Sequence, residues 1–194
     1  MKYSVDIKER SRPQWLEVVL ADFDSFLQDH ANCERKASAM AMSFVAKYPD
    51  RLEIIPVLID TALEELEHFQ QVYRVMENRG IPLRQDMDSD HYVTQLIGLC
   101  RSGRFDRFID RMLVASVVEC RGAERFRLIA ESIEDKELQI FYKKLWTSEA
   151  KHGNLFVRLA LNYCTEVEIY ERLDWFMDEE AKIINKLELK PALH

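Results

Sequence analysis

A chain of 194 residues, 47% hydrophobic and 31% charged, can bury one substantial core, and its 5 Gly and 5 Pro favour long helices over a turn-rich β-sandwich. The net charge of −7 opposes nucleic acid on average but leaves room for a locally basic face. No apolar run is long enough for a membrane span, MKYSVDIKERSRPQW lacks the apolar segment of a secretory signal, and Cys33, Cys100, Cys120 and Cys164 form no Cys-x-x-Cys pair. A single cytoplasmic domain over 1–194, with no membrane partner, disulfide framework or four-thiolate iron centre, is the expectation.

Residues 1–12 read as a polar lead-in, and a short helix begins at Pro13 with Trp15, Val18 and Val19 on its apolar face. From Asp22 to Lys47 the pattern is helical, with Phe23, Phe26, Leu27, His30, Ala31, Glu34, Ala37, Ser38, Ala41 and Val45 on one stripe. Glu34 sits in the middle of that stripe, where a carboxylate needs a partner. His30, one turn earlier, is either that carboxylate's support or an ordinary satisfied core histidine. Tyr48, Pro49 and Asp50 mark a turn. The next helix is predicted over Pro56–Arg79, with Ile59, Ala62, Glu65, Leu66, His68, Phe69, Val72 and Met76 inward and Glu64 and Glu67 solvated.

Gly80 ends that helix, and IPLRQDMDSD forms a crossover loop with Ser89 or Asp90 as the N-cap of a short helix over His91–Arg101. His91 reads as a cap-region or surface residue. The third long helix, Phe105–Ser132, turns Phe108, Met112, Ala115, Ser116, Glu119, Gly122, Ala123, Phe126 and Ile129 inward. Gly122 signals either space beside Glu119 or close helix packing. The fourth, Glu137–Tyr163, carries Tyr142, Leu145, Glu149, His152, Phe156 and Leu159 inward, with Tyr142 as a core aromatic. Ile169, Leu173, Phe176 and Ile183 anchor a last docking helix over Glu166–Leu187. The halves 22–79 and 105–163 repeat one helix-pair plan, so the fold class is all-α.

Within that plan Glu-x-x-His occurs twice, as Glu65 and His68 in EELEH and as Glu149 and His152 in SEAKH. One copy is a common accident on a solvated helix. Here each copy follows another core-stripe glutamate, Glu34 by 31 residues and Glu119 by 30. Helical positions i and i+3 lie about 60° apart in azimuth, so each motif aims a carboxylate and an imidazole at the same neighbour. Four carboxylates and two imidazoles on four helices can hold two divalent ions in a charge-neutral nitrogen and oxygen site, which favours iron or manganese. Structural zinc would use fewer ligands, commonly including Cys. Two adjacent redox ions point to dioxygen activation. Cys33 and Cys120, although next to Glu34 and Glu119, project about 100° away and read as small buried thiols.

NCERKA, TALEELEHF, VVECRGAERF and TSEAKHG carry a resemblance, along the whole chain, to the tRNA hydroxylases of the MiaE family. The resemblance implies a ferritin-like four-helix bundle with a long crossover and additional short and C-terminal helices. It further implies a non-haem di-iron monooxygenase that uses O2 and two external electrons. Its substrate would be the isopentenyl group of 2-methylthio-N6-isopentenyladenosine, beside the tRNA anticodon. Glu34 and Glu119 would be mainly terminal ligands, Glu65 and Glu149 bridging, and His68 and His152 one nitrogen ligand per iron. The partners would be a tRNA anticodon stem-loop and an electron donor such as a ferredoxin system.

Arg104, Arg107 and Arg111, extended by Arg121 and Arg125, could track RNA phosphates, or pair with Asp106 and Asp110 as an ordinary surface. A ferritin- or rubrerythrin-like iron oxidase or peroxide scavenger is the main alternative, weakened by the missing Cys cluster. A metal-free helical interaction module is the third.

Overall fold

Every regular element among the described residues is an α-helix: α1 Pro13–Ala21, α2 Phe23–Lys47, α3 Ile55–Asn78, α4 His91–Gly98, α5 Arg104–Ser132, α6 Lys136–Ala160 and α7 Glu166–Lys186. The computed structural model describes residues 5–85 and 89–194. The first four residues of the polar lead-in and positions 86–88 of the crossover loop lie outside the described residues. The chain forms two compact units, residues 17–88 with 190–193, and residues 1–16 with 89–189 and 194.

The first unit is built on α2 and α3. Asp22 opens α2 by accepting a hydrogen bond from the Ser25 amide at 3.2 Å, and Pro56 lies in the first turn of α3, where its missing N–H costs nothing. Gly80 closes α3 at φ +69°, a left-handed conformation that suits glycine, and there the Ile81 amide returns to the Met76 carbonyl at 2.9 Å. The two helices run close enough for the Ser38 hydroxyl to donate to the Ala62 carbonyl at 2.7 Å. Leu58, Thr61, Ala62, Glu65, His68, Val72 and Met76 form the buried face of α3. Ile59 and Leu66, expected inward, are exposed. Each sits about 100° from a buried neighbour, so the face that buries Glu65 and His68 turns them out.

In the second unit α5 packs against α6, α7 and α4 and is buried nearly all round. Its neighbours start on strong caps. Asp90 accepts from the Val93 amide at 2.9 Å, and Asp135 from the Glu137 amide at 2.9 Å. Thr165 and Glu168 form a reciprocal capping box at the start of α7.

Because α5 has little solvent-facing surface, its charged side chains must be satisfied internally. Arg121, fully buried, donates to Glu180 at 2.8 and 3.0 Å, to Glu124 at 3.0 Å, to the Ser11 hydroxyl at 3.2 Å and to the Glu9 carbonyl at 2.8 Å. Ser11 in turn donates its amide and hydroxyl to Glu124 at 3.0 and 2.7 Å, and the Tyr92 hydroxyl donates to Glu180 at 3.0 Å. The lead-in is thereby tied to the middle of α5.

Candidate metal centre

Glu34 from α2 and Glu65 and His68 from α3 are buried, and their ligand atoms lie within 4.8 Å of one another. The i, i+3 spacing brings His68 Nδ1 to 3.3 Å from Glu65 Oε2, and the helix pairing brings it to 3.7 Å from Glu34 Oε2. Behind them, His30 Nε2 stands 2.7 Å from Glu34 Oε1, so this buried imidazole supports the carboxylate.

The second unit repeats the arrangement with Glu119 from α5 and Glu149 and His152 from α6, all buried and again within 4.8 Å of one another. His152 Nδ1 lies 3.4 Å from Glu149 Oε2, nearly the separation found in the other trio. Close approach of α5 and α6 sets this level. The Ser116 hydroxyl donates to the Gly153 carbonyl at 2.7 Å, and a Cβ on Gly153 would meet Cys120 Sγ at 2.6 Å and the Ser116 carbonyl at 3.4 Å. Gly122, by contrast, would have nothing within 4 Å of an added Cβ although it is buried. Helix contact therefore needs Gly153 and not Gly122. A glycine directly after a candidate ligand in mid-helix was the available sequence signal.

Cys120 hydrogen-bonds the Val5 carbonyl at 2.9 Å, and burial followed by the charge of Glu119 pushes its thiol up to about 12. Its Sγ serves as a hydrogen-bond donor that ties the lead-in to α5. None of the four cysteines is in a disulfide, and all are half-buried.

Each trio places two carboxylates and one imidazole out of water at close range. Two buried carboxylates that near repel unless a cation or proton intervenes. With nitrogen and oxygen donors and no thiolate, the set fits a divalent iron or manganese ion.

The α5 arginines divide. Arg104 is exposed, and Arg107 and Arg111 are half-buried. Arg121 and Arg125 do not extend a cationic surface as expected, because both are buried. Arg121 holds the network described above. Arg125 lies 4.4 Å over the Trp15 ring and donates to Ser11 at 3.2 Å, and burial together with the charge of Arg121 lowers it to about 10. Asp110 is held by Arg101 at 2.7 Å and Arg172 at 2.9 Å, and Asp106 by Arg101 at 2.9 Å.

A family model described as tRNA-(MS[2]IO[6]A)-hydroxylase (MiaE) matches residues 4–194. A Pseudomonas putida protein named tRNA 2-(methylsulfanyl)-N(6)-isopentenyladenosine(37) hydroxylase is 36% identical over 180 residues, covering 93% of this chain and 87% of its own. A Salmonella typhimurium protein of the same name is 32% identical over 132 residues, covering 68% of this chain and 48% of its own. Among solved structures, a Synechococcus protein described as having aldehyde deformylating oxygenase activity is 31% identical, with a TM-score of 0.92 over 100% of this chain and 96% of that one. The all-α fold is thus ferritin-like.

Proposed function

The chain belongs to the MiaE family of tRNA hydroxylases, and from that premise we propose that it hydroxylates the isopentenyl group of 2-methylthio-N6-isopentenyladenosine at position 37 of tRNA. The observation that carries the proposal is the repeated buried trio, Glu34, Glu65 and His68 with Glu119, Glu149 and His152. In this reading the two trios would hold two iron ions, with Glu34, Glu65, Glu119 and Glu149 as the oxygen donors and His68 and His152 supplying one nitrogen apiece.

When bound, a ferrous pair supplies the redox chemistry by which dioxygen and two electrons from an external donor, such as a ferredoxin system, deliver one oxygen atom to the substrate and one to water. The chain's own residues prepare for this. Burial keeps bulk water from the six donors, His30 fixes the orientation of Glu34, and the Ser116–Gly153 contact fixes the level of His152 on α6. A tRNA substrate supports a cytoplasmic location, and among the described residues no helix is long and apolar enough to cross a membrane.

The deciding experiment incubates the iron-loaded protein with prenylated tRNA, O2 and a reductant, then measures nucleoside masses. A gain of one oxygen on the isopentenyl adenosine is expected, and an unchanged nucleoside overturns the proposal. Because the Synechococcus neighbour is described by an aldehyde activity, a parallel reaction with an aldehyde substrate tests that second reading. Sustained peroxide turnover or oxidised-iron accumulation, with tRNA untouched, would point to the iron-oxidase alternative.

A further inference from the structure

The helix that carries Glu149 and His152 on its buried side has a different character outside. Between residues 142 and 160 the exposed positions of α6 are Lys143, Lys144, Thr147, Lys151, Asn154 and Arg158. Four are cations and two are neutral hydrogen-bonding side chains, with no acid and no exposed apolar residue among them. From Lys143 to Arg158 the row runs about 22 Å along the helix axis.

Some exposed cations elsewhere in this unit have carboxylate partners, although Arg10, Lys136 and Lys186 are in no ion pair among the described residues. Lys8 bridges Asp174 and Asp178 at 2.7 Å, Lys182 meets Glu179 at 2.6 Å, and Arg101 meets Asp106 at 2.9 Å. Among the described residues, none of Lys143, Lys144, Lys151 and Arg158 is in an ion pair. The unit's exposed acids lie outside this stretch: Glu166, Glu168, Glu171, Asp174 and Asp178 on α7, Glu131 on α5, Glu137 in the first turn of α6, and Asp6, Glu9, Glu134, Asp135 and Glu188 in the connecting segments. In a chain of net charge −7, the exposed side of α6 from Lys143 to Arg158 is a positive track without an exposed acid. Like charges on successive turns repel one another, and a polyanion laid along them relieves that repulsion.

A cleft of about 440 Å³, walled by α5, α6 and the lead-in, adjoins the track and shares Asn154 with it. Arg10, Arg127 and Trp146 line it, with the Arg127 guanidinium 5.9 Å from the Trp146 ring. Glu124, one of its two acids, is taken up by Ser11 and Arg121. An aromatic face beside a guanidinium suits an unstacked base with its phosphate.

We infer that the exposed side of α6 from Lys143 to Arg158 is the docking track for the phosphodiester backbone of an RNA, with the Trp146 cleft receiving one unstacked nucleotide. The inference rests on the tRNA reading above and moves the RNA surface from α5 to α6. RNA fits better than an acidic protein, whose interface would be expected to include an apolar centre that this row lacks.

The test compares K143Q/K151Q/R158Q with R104Q/R107Q/R111Q in the full-length, iron-loaded protein, using an anticodon stem-loop hairpin as the probe. The α6 variant is expected to lose about 10–100-fold in hairpin affinity at low salt, and its salt dependence should flatten by roughly two to three released counterions. Iron stoichiometry and the thermal transition should stay unchanged, and the α5 variant should bind as the parent does. Trp146→Leu, with the track intact, should weaken the hairpin but not a fully paired duplex.

Unchanged affinity and salt slope in the α6 variant overturn the inference. So does a variant that keeps its RNA affinity and loses only turnover supported by a protein electron donor, which would mark the track as the donor's site. A parent protein that binds RNA through α6 without hydroxylating it sinks the functional proposal alone. One that hydroxylates while the α6 variant binds normally sinks this inference alone.

Discussion

His30 touches no proposed ion, yet it stands 2.7 Å from Glu34 Oε1 inside the core. A carboxylate so held keeps one orientation, and losing such support typically costs about 10–100-fold in metal affinity or activity. His30→Leu should therefore lower iron affinity by that order, seen in anaerobic Fe(II) titration, while His30→Gln should recover part of it. Equal affinity in both variants would reduce His30 to a packing residue.

Asp110 tests a purely structural role. Burial alone would raise its carboxyl, but hydrogen bonds from Arg101 and Arg172 outweigh that and hold it below its ordinary 3.8. A lowered folded value means the stabilisation is complete above pH 3.8 and is lost as the pH falls through the folded value. Asp110→Asn should cost about 1.5–3 kcal/mol at neutral pH, nearer the lower figure because Arg101 is 45% exposed and screened by water. Its denaturation midpoint should also fall less steeply than the parent's below pH 4, as the group that titrates there is gone.

At this scale the proposed ligands were legible because chemistry and spacing coincide in them. Arg121 and Arg125 were misread because a charged side chain carries no sequence mark of being buried.

Helices α5 and α6 meet at a glycine, and the two buried glycines near this level make opposite forecasts. Gly153→Ala drives a methyl to 2.6 Å from Cys120 Sγ and should cost about 1–3 kcal/mol, read from urea unfolding, with much of it recovered in Gly153→Ala/Cys120→Ala. Gly122→Ala meets nothing within 4 Å and should stabilise by up to about 1 kcal/mol through helix propensity. A destabilised Gly122→Ala, or a neutral Gly153→Ala, would reverse this account of the packing.

Elements were the most legible level, since Pro13, Asp22, Gly80 and Asp90 punctuate the chain where the helices begin or end. Ile59 and Leu66 failed because an apolar residue beside a buried stripe looks the same in one dimension as a residue within it. α5 hid its all-round burial for the same reason, since periodicity reports one face and not what covers the others.

For the molecule as a whole, the proposed metal would bind donors that are gathered only in the folded chain, so it should stabilise the fold. Anaerobic Fe(II) should raise the thermal transition of the whole chain in one step, by an amount that grows with the logarithm of free metal. Glu65→Ala and Glu149→Ala should each abolish the increase. If either variant keeps half of it, the two trios bind metal independently. The α6 track also belongs to this scale: its lysines stand in plain view in the sequence, but their sharing one exposed side with no acid among them emerges only once the residues between them are seen to be buried or half-buried.

The tie between Arg121 and the backbone of Glu9 and side chain of Ser11 has a practical bearing on handling the protein. A version trimmed to begin at Arg12 would strip the guanidinium of two acceptors and Glu124 of two donors in the dry interior of the longest helix. Trimming at that point should give insoluble or poorly expressed material, whereas purification handles added ahead of the first few residues leave this clasp in place.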